Sequence, residues 1–110
     1  MTSPIILNLE KLLGGPRDNA LLRYSLGNEW LKCGDAAKAC VFLRTALDLD
    51  PVYSAAWKLY GKALQESGDL TGALDAFTRG VQVAQSRGDL QAAKEMSVFI
   101  RRLQKGSHQT

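Results

Sequence analysis

The sequence has little of the chemistry that an enzyme site usually requires. Its 110 residues include one histidine, two cysteines and three prolines. The histidine, His108, lies near the end of the chain, so no Ser/His/Asp or Cys/His group can be built on rigid elements. No cluster of His, Cys, Asp or Glu has the spacing of metal ligands. We therefore expect a protein that is not an enzyme and that holds no metal and no cofactor.

Cysteines and long hydrophobic runs are also scarce. Cys33 and Cys40 are too few for a disulfide scaffold and do not form a CxxC pair, so they are interpreted as small apolar residues of a reducing compartment, with a redox role as the alternative. No run approaches the roughly 18 apolar residues of a membrane span. The apolar start at 5–7 is interrupted by Glu10 and Lys11 and has no basic segment before it, unlike a secretory signal. A cytoplasmic protein is predicted.

The excess of positive charge is small and lies in the second half of the chain. Lys and Arg number 14 against 11 Asp and Glu, a net charge of +3, and Arg101, Arg102 and Lys105 account for the surplus. Cations at the end of a helix usually complement its dipole and remain solvated. Nucleic-acid binding through these three residues is a distant alternative, because no aromatic or groove-fitting partners accompany them. We expect neither a nucleic acid nor a membrane as partner.

Two segments of the chain match each other at a spacing of 34 residues. A period of this length is typical of stacked helical hairpins. The matched pairs are Gly27 and Gly61, Gly34-Asp35 and Gly68-Asp69, Ala39 and Ala73, Leu43 and Phe77, and Ala46 and Gly80. Small residues in register on facing helices indicate backbones that approach closely.

Glycine and aspartate at the centre of each unit indicate a tight turn between two helices. Gly34 and Gly68 can adopt the left-handed conformation that ends a helix, and Asp35 and Asp69 can cap the next one. Pro51, with the residue before it, ends the first unit. Apolar residues at helical spacing before and after the two units predict one further helix at each end. The predicted helices span residues 4–13, 18–33, 36–49, 52–67, 70–86 and 89–104.

The repeated residues resemble the signature of the tetratricopeptide repeat (TPR), as in small bacterial two-repeat proteins. They are Leu26, Gly27, Trp30, Ala39, Ala46 and Pro51 in the first unit, and Trp57, Gly61, Ala73 and Phe77 in the second. The resemblance covers roughly residues 20–87, and it departs from the pattern at Arg23, Leu64 and Gly80. It implies an all-α fold, a right-handed stack of helical hairpins.

One domain is expected over residues 1–110, because this length supports a single hydrophobic core. Stacked repeats require caps at both ends of the stack. The predicted parts are an N-terminal capping helix in 1–17, TPR units at 20–53 and 54–87, a C-terminal capping helix in 88–105, and a loose tail at 106–110.

The resemblance also implies a protein–protein interaction module, an adaptor or scaffold whose concave face binds a peptide or helix. Carried over by position, the partner-binding residues are Leu21, Tyr24, Asn28, Leu31, Lys32, Lys58, Lys62 and Gln65. These residues fall opposite the stripes that must be buried. Lys58 and Lys62 would suit an acidic segment, while Tyr24 and Leu31 would supply most of the affinity.

Two other interpretations of the same residues stay open. Lys58 and Lys62 could form a solvated face, with Lys62 opposite Glu66, while Tyr24 and Leu31 only flank the N-terminal helix. The function could also be of another class, a structural module that self-assembles through the ends of the stack. The chain is accordingly expected to be a monomer or a weak homodimer.

Overall fold

The computed structural model describes residues 3–108, and side chains within 3–106. This part of the chain forms six α-helices and contains no strand, which confirms the all-α prediction. The helices are α1 (Pro4–Glu10), α2 (Ala20–Lys32), α3 (Ala36–Leu49), α4 (Ser54–Glu66), α5 (Leu70–Ser86) and α6 (Leu90–His108).

The glycine-aspartate turns have the predicted geometry. Gly34 and Gly68 have φ angles of 84° and 93°, in the left-handed region where a side chain would be strained. Asp35 and Asp69 each accept the backbone N–H three residues further on, at 3.1 and 2.8 Å. The same turn recurs at Gly88-Asp89, where the aspartate accepts the third N–H at 3.2 Å. Helix α6 therefore begins in the same way as α3 and α5.

The helices form two layers. Helix α2 contacts α4, and α4 contacts α6, whereas α3 and α5 of the second layer do not contact each other along the described chain. The stack is therefore curved, with α2, α4 and α6 on the inside. We call the solvent-facing side chains of α2 and α4, together with the α6 side chains that contact α4, the inner face. Helix α1 packs against α2 at one end of the stack.

Two glycines allow the helices of each hairpin to approach closely. A Cβ added to Gly27 would lie 2.5 Å from Cγ of Leu43, and one added to Gly61 would overlap the ring of Phe77. These positions match one repeat apart, so the side chain of one helix fills the gap left by the glycine of the other. The packing role predicted for both glycines agrees with this geometry.

The terminal helices cover the two ends of the apolar core. Ile6 of α1 is fully buried in a cluster with Leu26 and Leu43, and Met96 of α6 is fully buried in a second cluster with Phe77. Burial of such side chains contributes about 1.5–3 kcal/mol each to folding. Both terminal helices therefore contribute side chains to the hydrophobic core.

The boundaries of four helices differ from the prediction. Helix α1 ends at Glu10, three residues before the predicted end, and its Ile5 is exposed. Helix α2 begins at Ala20 instead of residue 18, because Asn19 caps it. Helix α4 begins at Ser54, after the Pro51 turn. Helix α6 continues to His108, so Gly106 is helical and not part of a loose tail; this glycine does not adopt the positive φ that ends a helix at the earlier glycines. Residues 109–110 of that predicted tail lie outside the described residues.

Candidate functional site

All eight predicted partner-binding residues lie on the inner layer, five of them on α2 and three on α4. Leu21 is 61% exposed. Lys32, Lys62 and Gln65 are also exposed, and the others are half-buried. The half-buried ones are Tyr24, Asn28, Leu31 and Lys58.

An aromatic pair joins the two repeat units. The rings of Tyr24, on α2, and Tyr53, just before α4, have centroids 5.0 Å apart and planes inclined by 32°. Such tilted contacts are favourable beyond the area they bury. Burial, and then the neighbouring Tyr24, raise the pKa of Tyr53 above its usual value. Sequence reasoning missed Tyr53, because the repeat pattern places it in a turn and not on a helix face.

The first predicted cation of α4 is already paired. Nζ of Lys58 lies 2.8 Å from Oε1 of Glu95 on α6, and both side chains are partly buried. The hydrogen bond from Lys58, followed by one from Gln91, holds the pKa of Glu95 below its usual value. The ammonium group of Lys58 is therefore already paired and is not a free charge that could bind a ligand.

The second predicted cation also contacts α6. Nζ of Lys62 lies 5.0 Å from the centre of the Phe99 ring, a cation–π contact. The alternative partner named for it, Glu66, forms no ion pair in the described part of the chain. Both lysines therefore contact α6 and are not simply a solvated face, because the register of α6 on α4 puts Glu95 and Phe99 against them.

Helix α6 thus completes the inner face, which sequence reasoning assigned to α2 and α4 alone. Oγ of Ser54 donates to Oδ2 of Asp89 at 2.9 Å, which ties the N-terminus of α4 to that of α6. A signal was available in the sequence, because Gly88-Asp89 repeats the earlier turns. Because α6 follows α5 through such a turn, it takes the place that the first helix of a third repeat would have.

Three of the predicted residues of α2 have local partners. Lys32 pairs with Glu29 at 3.3 Å and is 65% exposed, so this ion pair contributes little. Tyr24 and Leu31 pack at the edge of the cluster that contains Ile6 of α1. Both side chains keep an exposed part as well, so they are available to a partner without leaving the core.

A charged pair at the start of α2 was not foreseen. Arg23 donates to both carboxylate oxygens of Asp18, at 2.9 and 2.7 Å, and Asp18 also accepts the backbone N–H of Gly14 at 2.9 Å. The hydrogen bond from Arg23 is the main cause that lowers the pKa of Asp18 to about 2. Arg23, a departure from the TPR pattern, therefore fastens the α1–α2 connection to α2.

The described residues show no arrangement suited to a metal site. Across positions 3–108, no group of three or more His, Cys, Asp or Glu side chains is placed to hold a metal ion. Cys33 and Cys40 are both unbridged, and burial raises the pKa of the Cys40 thiol. No helix in the same range is both long and apolar enough to cross a bilayer.

Known proteins share both the sequence and the fold. The chain is 50% identical over 99 residues to a TPR repeat-containing protein of Pseudomonas aeruginosa, covering 90% of this chain and 94% of that protein. It is 46% identical to a protein from Bordetella parapertussis whose solution structure superposes with a TM-score of 0.83, over 96% and 91% of the two chains. A crystallised TPR domain from Aspergillus fumigatus shares the fold at 23% identity, with a TM-score of 0.81 over 96% and 69%. No family model matches the sequence.

Proposed function

Because this chain belongs to the tetratricopeptide-repeat family, we propose that its inner face binds a segment of another protein. The TPR fold generally mediates protein–protein interaction, and members of the family are typically non-enzymatic. The proposed partner is a peptide or a helix, and the chain acts as an adaptor or scaffold. We place the interaction in the cytoplasm, where Cys33 and Cys40, both unbridged, would stay reduced.

The observation that carries this proposal is the apolar and aromatic surface at the junction of α2 and α4. Leu21 is 61% exposed, and the partly exposed Tyr24 is held against Tyr53. Aromatic side chains with a polar end are common energetic centres of interfaces. Because the ring of Tyr24 is already held by its neighbour, little conformational entropy would be lost on binding.

Polar residues around this centre would set the orientation of the bound segment. Asn28 and Gln65 offer both donors and acceptors. Lys58 is matched by Glu95 and Lys62 by Phe99, so an acidic ligand would have to compete with α6 for them. The inner face should therefore bind mainly through its apolar residues, and charge on α4 should only adjust the affinity.

The proposal is tested with a partner recovered from the source cell and then measured by calorimetry. Leu21→Ser should weaken binding without loss of fold, since this side chain is mostly exposed. Val41→Ser on α3 is the matched control, because Val41 is 64% exposed on the other layer. A partner that binds both variants as tightly as the wild type would contradict the inner-face proposal.

A second candidate function is self-assembly through the α1 end of the stack. It is favoured by Ile5 and Leu7, which are 55% and 52% exposed on this short helix. Sedimentation equilibrium over a range of concentrations should then show a dimer that Ile5→Ser with Leu7→Ser abolishes. A wild-type chain that stays monomeric throughout would remove this candidate.

A further inference from the structure

The net positive charge of the chain is carried by α6. This helix holds four cationic side chains and one carboxylate, Glu95, whereas the rest of the chain has equal numbers of acidic and basic residues. The four cations are all exposed: Lys94, Arg101, Arg102 and Lys105. The charge excess is therefore a local property of one helix.

Three of these cations lie in a row along the solvent-exposed side of α6, opposite its buried side. Lys94, Arg101 and Lys105 recur at helical spacing, with Val98 between the first two and Arg102 beside them. We call these five residues the basic stripe. It extends over about 16 Å, from the rise of about 1.5 Å per residue. The opposite side of the helix, with Ala92, Met96 and Leu103, faces the core.

Within the described residues, no ion pair involves any cation of the basic stripe. The one carboxylate of the helix points elsewhere, because Glu95 is bound to Lys58. Arg101 and Lys105 are instead like charges four residues apart, an arrangement that destabilises a helix slightly. A negatively charged partner would relieve this repulsion.

A second copy of the chain does not offer the complementary surface. Of the acidic residues outside α6, three are in ion pairs and four accept backbone N–H groups near helix ends. The others are Glu10, Asp48 and Glu66, which lie on three different helices. Three scattered carboxylates do not form an acidic row, so the complementary charge must come from another molecule.

The structure also disfavours a membrane or a single-stranded nucleic acid as that molecule. The apolar side of α6 is buried against α5, so it cannot insert into a bilayer as an interfacial amphipathic helix does. The basic stripe contains no aromatic ring on which a base could stack, since Phe99 packs against Phe77. An acidic protein segment needs neither feature.

We propose that the basic stripe of α6 docks an acidic segment of the partner protein, an inference that rests on the proposed function. A segment with carboxylates at every third or fourth position of a helix would match Lys94, Arg101 and Lys105 in spacing. Since α6 lies beside α4, one partner can place an apolar part on the inner face and an acidic part on the basic stripe. Affinity is then divided between apolar contacts and a salt-sensitive charged contact.

The test uses the full chain and a synthetic fluorescent helical peptide with glutamates at four positions spaced like 94, 98, 101 and 105. A peptide with glutamine at the same positions is its control. The stripe variant carries Lys94→Gln, Arg101→Gln and Lys105→Gln. The control variant carries Lys11→Gln, Arg17→Gln and Arg44→Gln, which removes the same charge from exposed sites elsewhere. Binding is measured by anisotropy at low and high salt.

The stripe variant should bind the glutamate peptide about tenfold more weakly at low salt, because three exposed ion pairs together contribute on the order of one tenfold step. The control variant should change binding less than about twofold, and high salt should remove the difference. Equal weakening in both variants would show that net charge alone is responsible and would overturn the proposal. The proposal would also be overturned if a 20-bp DNA duplex or phosphatidylserine vesicles bound the chain more tightly than the peptide does and the stripe variant lost this binding.

Failure of this inference can be told apart from failure of the inner-face proposal. Leu21→Ser lies on α2 and should bind the glutamate peptide like the wild type. If the peptide does not bind but Leu21→Ser still loses the cellular partner, only the basic stripe is refuted. If the stripe variant loses the partner while Leu21→Ser keeps it, the inner face is refuted and the basic stripe stands.

Discussion

Lys58 on α4 and Glu95 on α6 are 37 residues apart in the sequence, yet Nζ and Oε1 lie 2.8 Å from each other. This ion pair links the last helix to the first helix of the second repeat. Because Lys58 is paired with Glu95, its charge is not free to bind a ligand. Its position in the repeat alone would have assigned it that role. The last helix is therefore a third member of the inner layer.

Neutralising Lys58 should loosen α6. Lys58→Gln leaves Glu95 without its cation, so amide hydrogen exchange should become faster in α6, with α2 unchanged. Lys32→Gln, which loses only an exposed pair with Glu29, is the control and should leave α6 protected. Equal protection of α6 in wild type and Lys58→Gln would mean that apolar packing alone holds the helix.

A methyl group at Gly61 should destabilise the second repeat. Gly61→Ala places a carbon in the ring of Phe77, and overpacking of this kind costs about 1–3 kcal/mol. Gly106→Ala is the control, since its added carbon has no neighbour within 4 Å and alanine is favoured in a helix by about 0.5–1 kcal/mol. Urea denaturation measures both; a Gly61→Ala chain as stable as the wild type would contradict the packing role of this glycine.

Removing the last helix should expose the apolar end of the second repeat. Deletion of 89–110 uncovers Phe77, which is fully buried and packs against Phe99 at a centroid distance of 5.3 Å. The shortened chain should melt at a lower temperature and aggregate or dimerise, as light scattering would show. Deletion of 107–110 alone should leave the wild-type melting curve. If the longer deletion remains monomeric and equally stable, α6 is not a cap.

The Asp18–Arg23 pair should make stability depend on pH in acid. The folded pKa of Asp18 is about 2 against a usual 3.8, so its contribution is complete above the usual pKa and is lost as the pH falls through about 2. Asp18→Asn should therefore melt at a lower temperature than the wild type at pH 7, with a difference that narrows between pH 3.8 and 2.

The control for this titration is Asp75→Asn. Asp75 pairs with Arg79 at 3.1 Å, but both side chains are 63% exposed, so its loss should change the melting temperature little at any pH. If the melting temperatures of Asp18→Asn and the wild type differ by the same amount at pH 2 and at pH 7, the charge of Asp18 is not the cause of that difference.

Local chemistry and the repeat period were enough to predict the helices and how each hairpin closes. A glycine that takes a positive φ and an aspartate that caps the next helix act within a few residues, so Gly34-Asp35 and Gly68-Asp69 could be identified from the sequence. The match of Gly27 and Gly61 one period apart likewise indicated where helices meet. The predicted site residues could be placed on the inner layer for the same reason.

What surrounds those residues was decided only by the tertiary structure. Glu95 and Phe99 lie far along the chain from Lys58 and Lys62, and they meet because α6 packs in one particular register on α4 and α5. The exposed side of α6, with its basic stripe, follows from the same register. Sequence periodicity shows which residues share a helix face, but only packing of the buried faces determines which neighbour each exposed face meets.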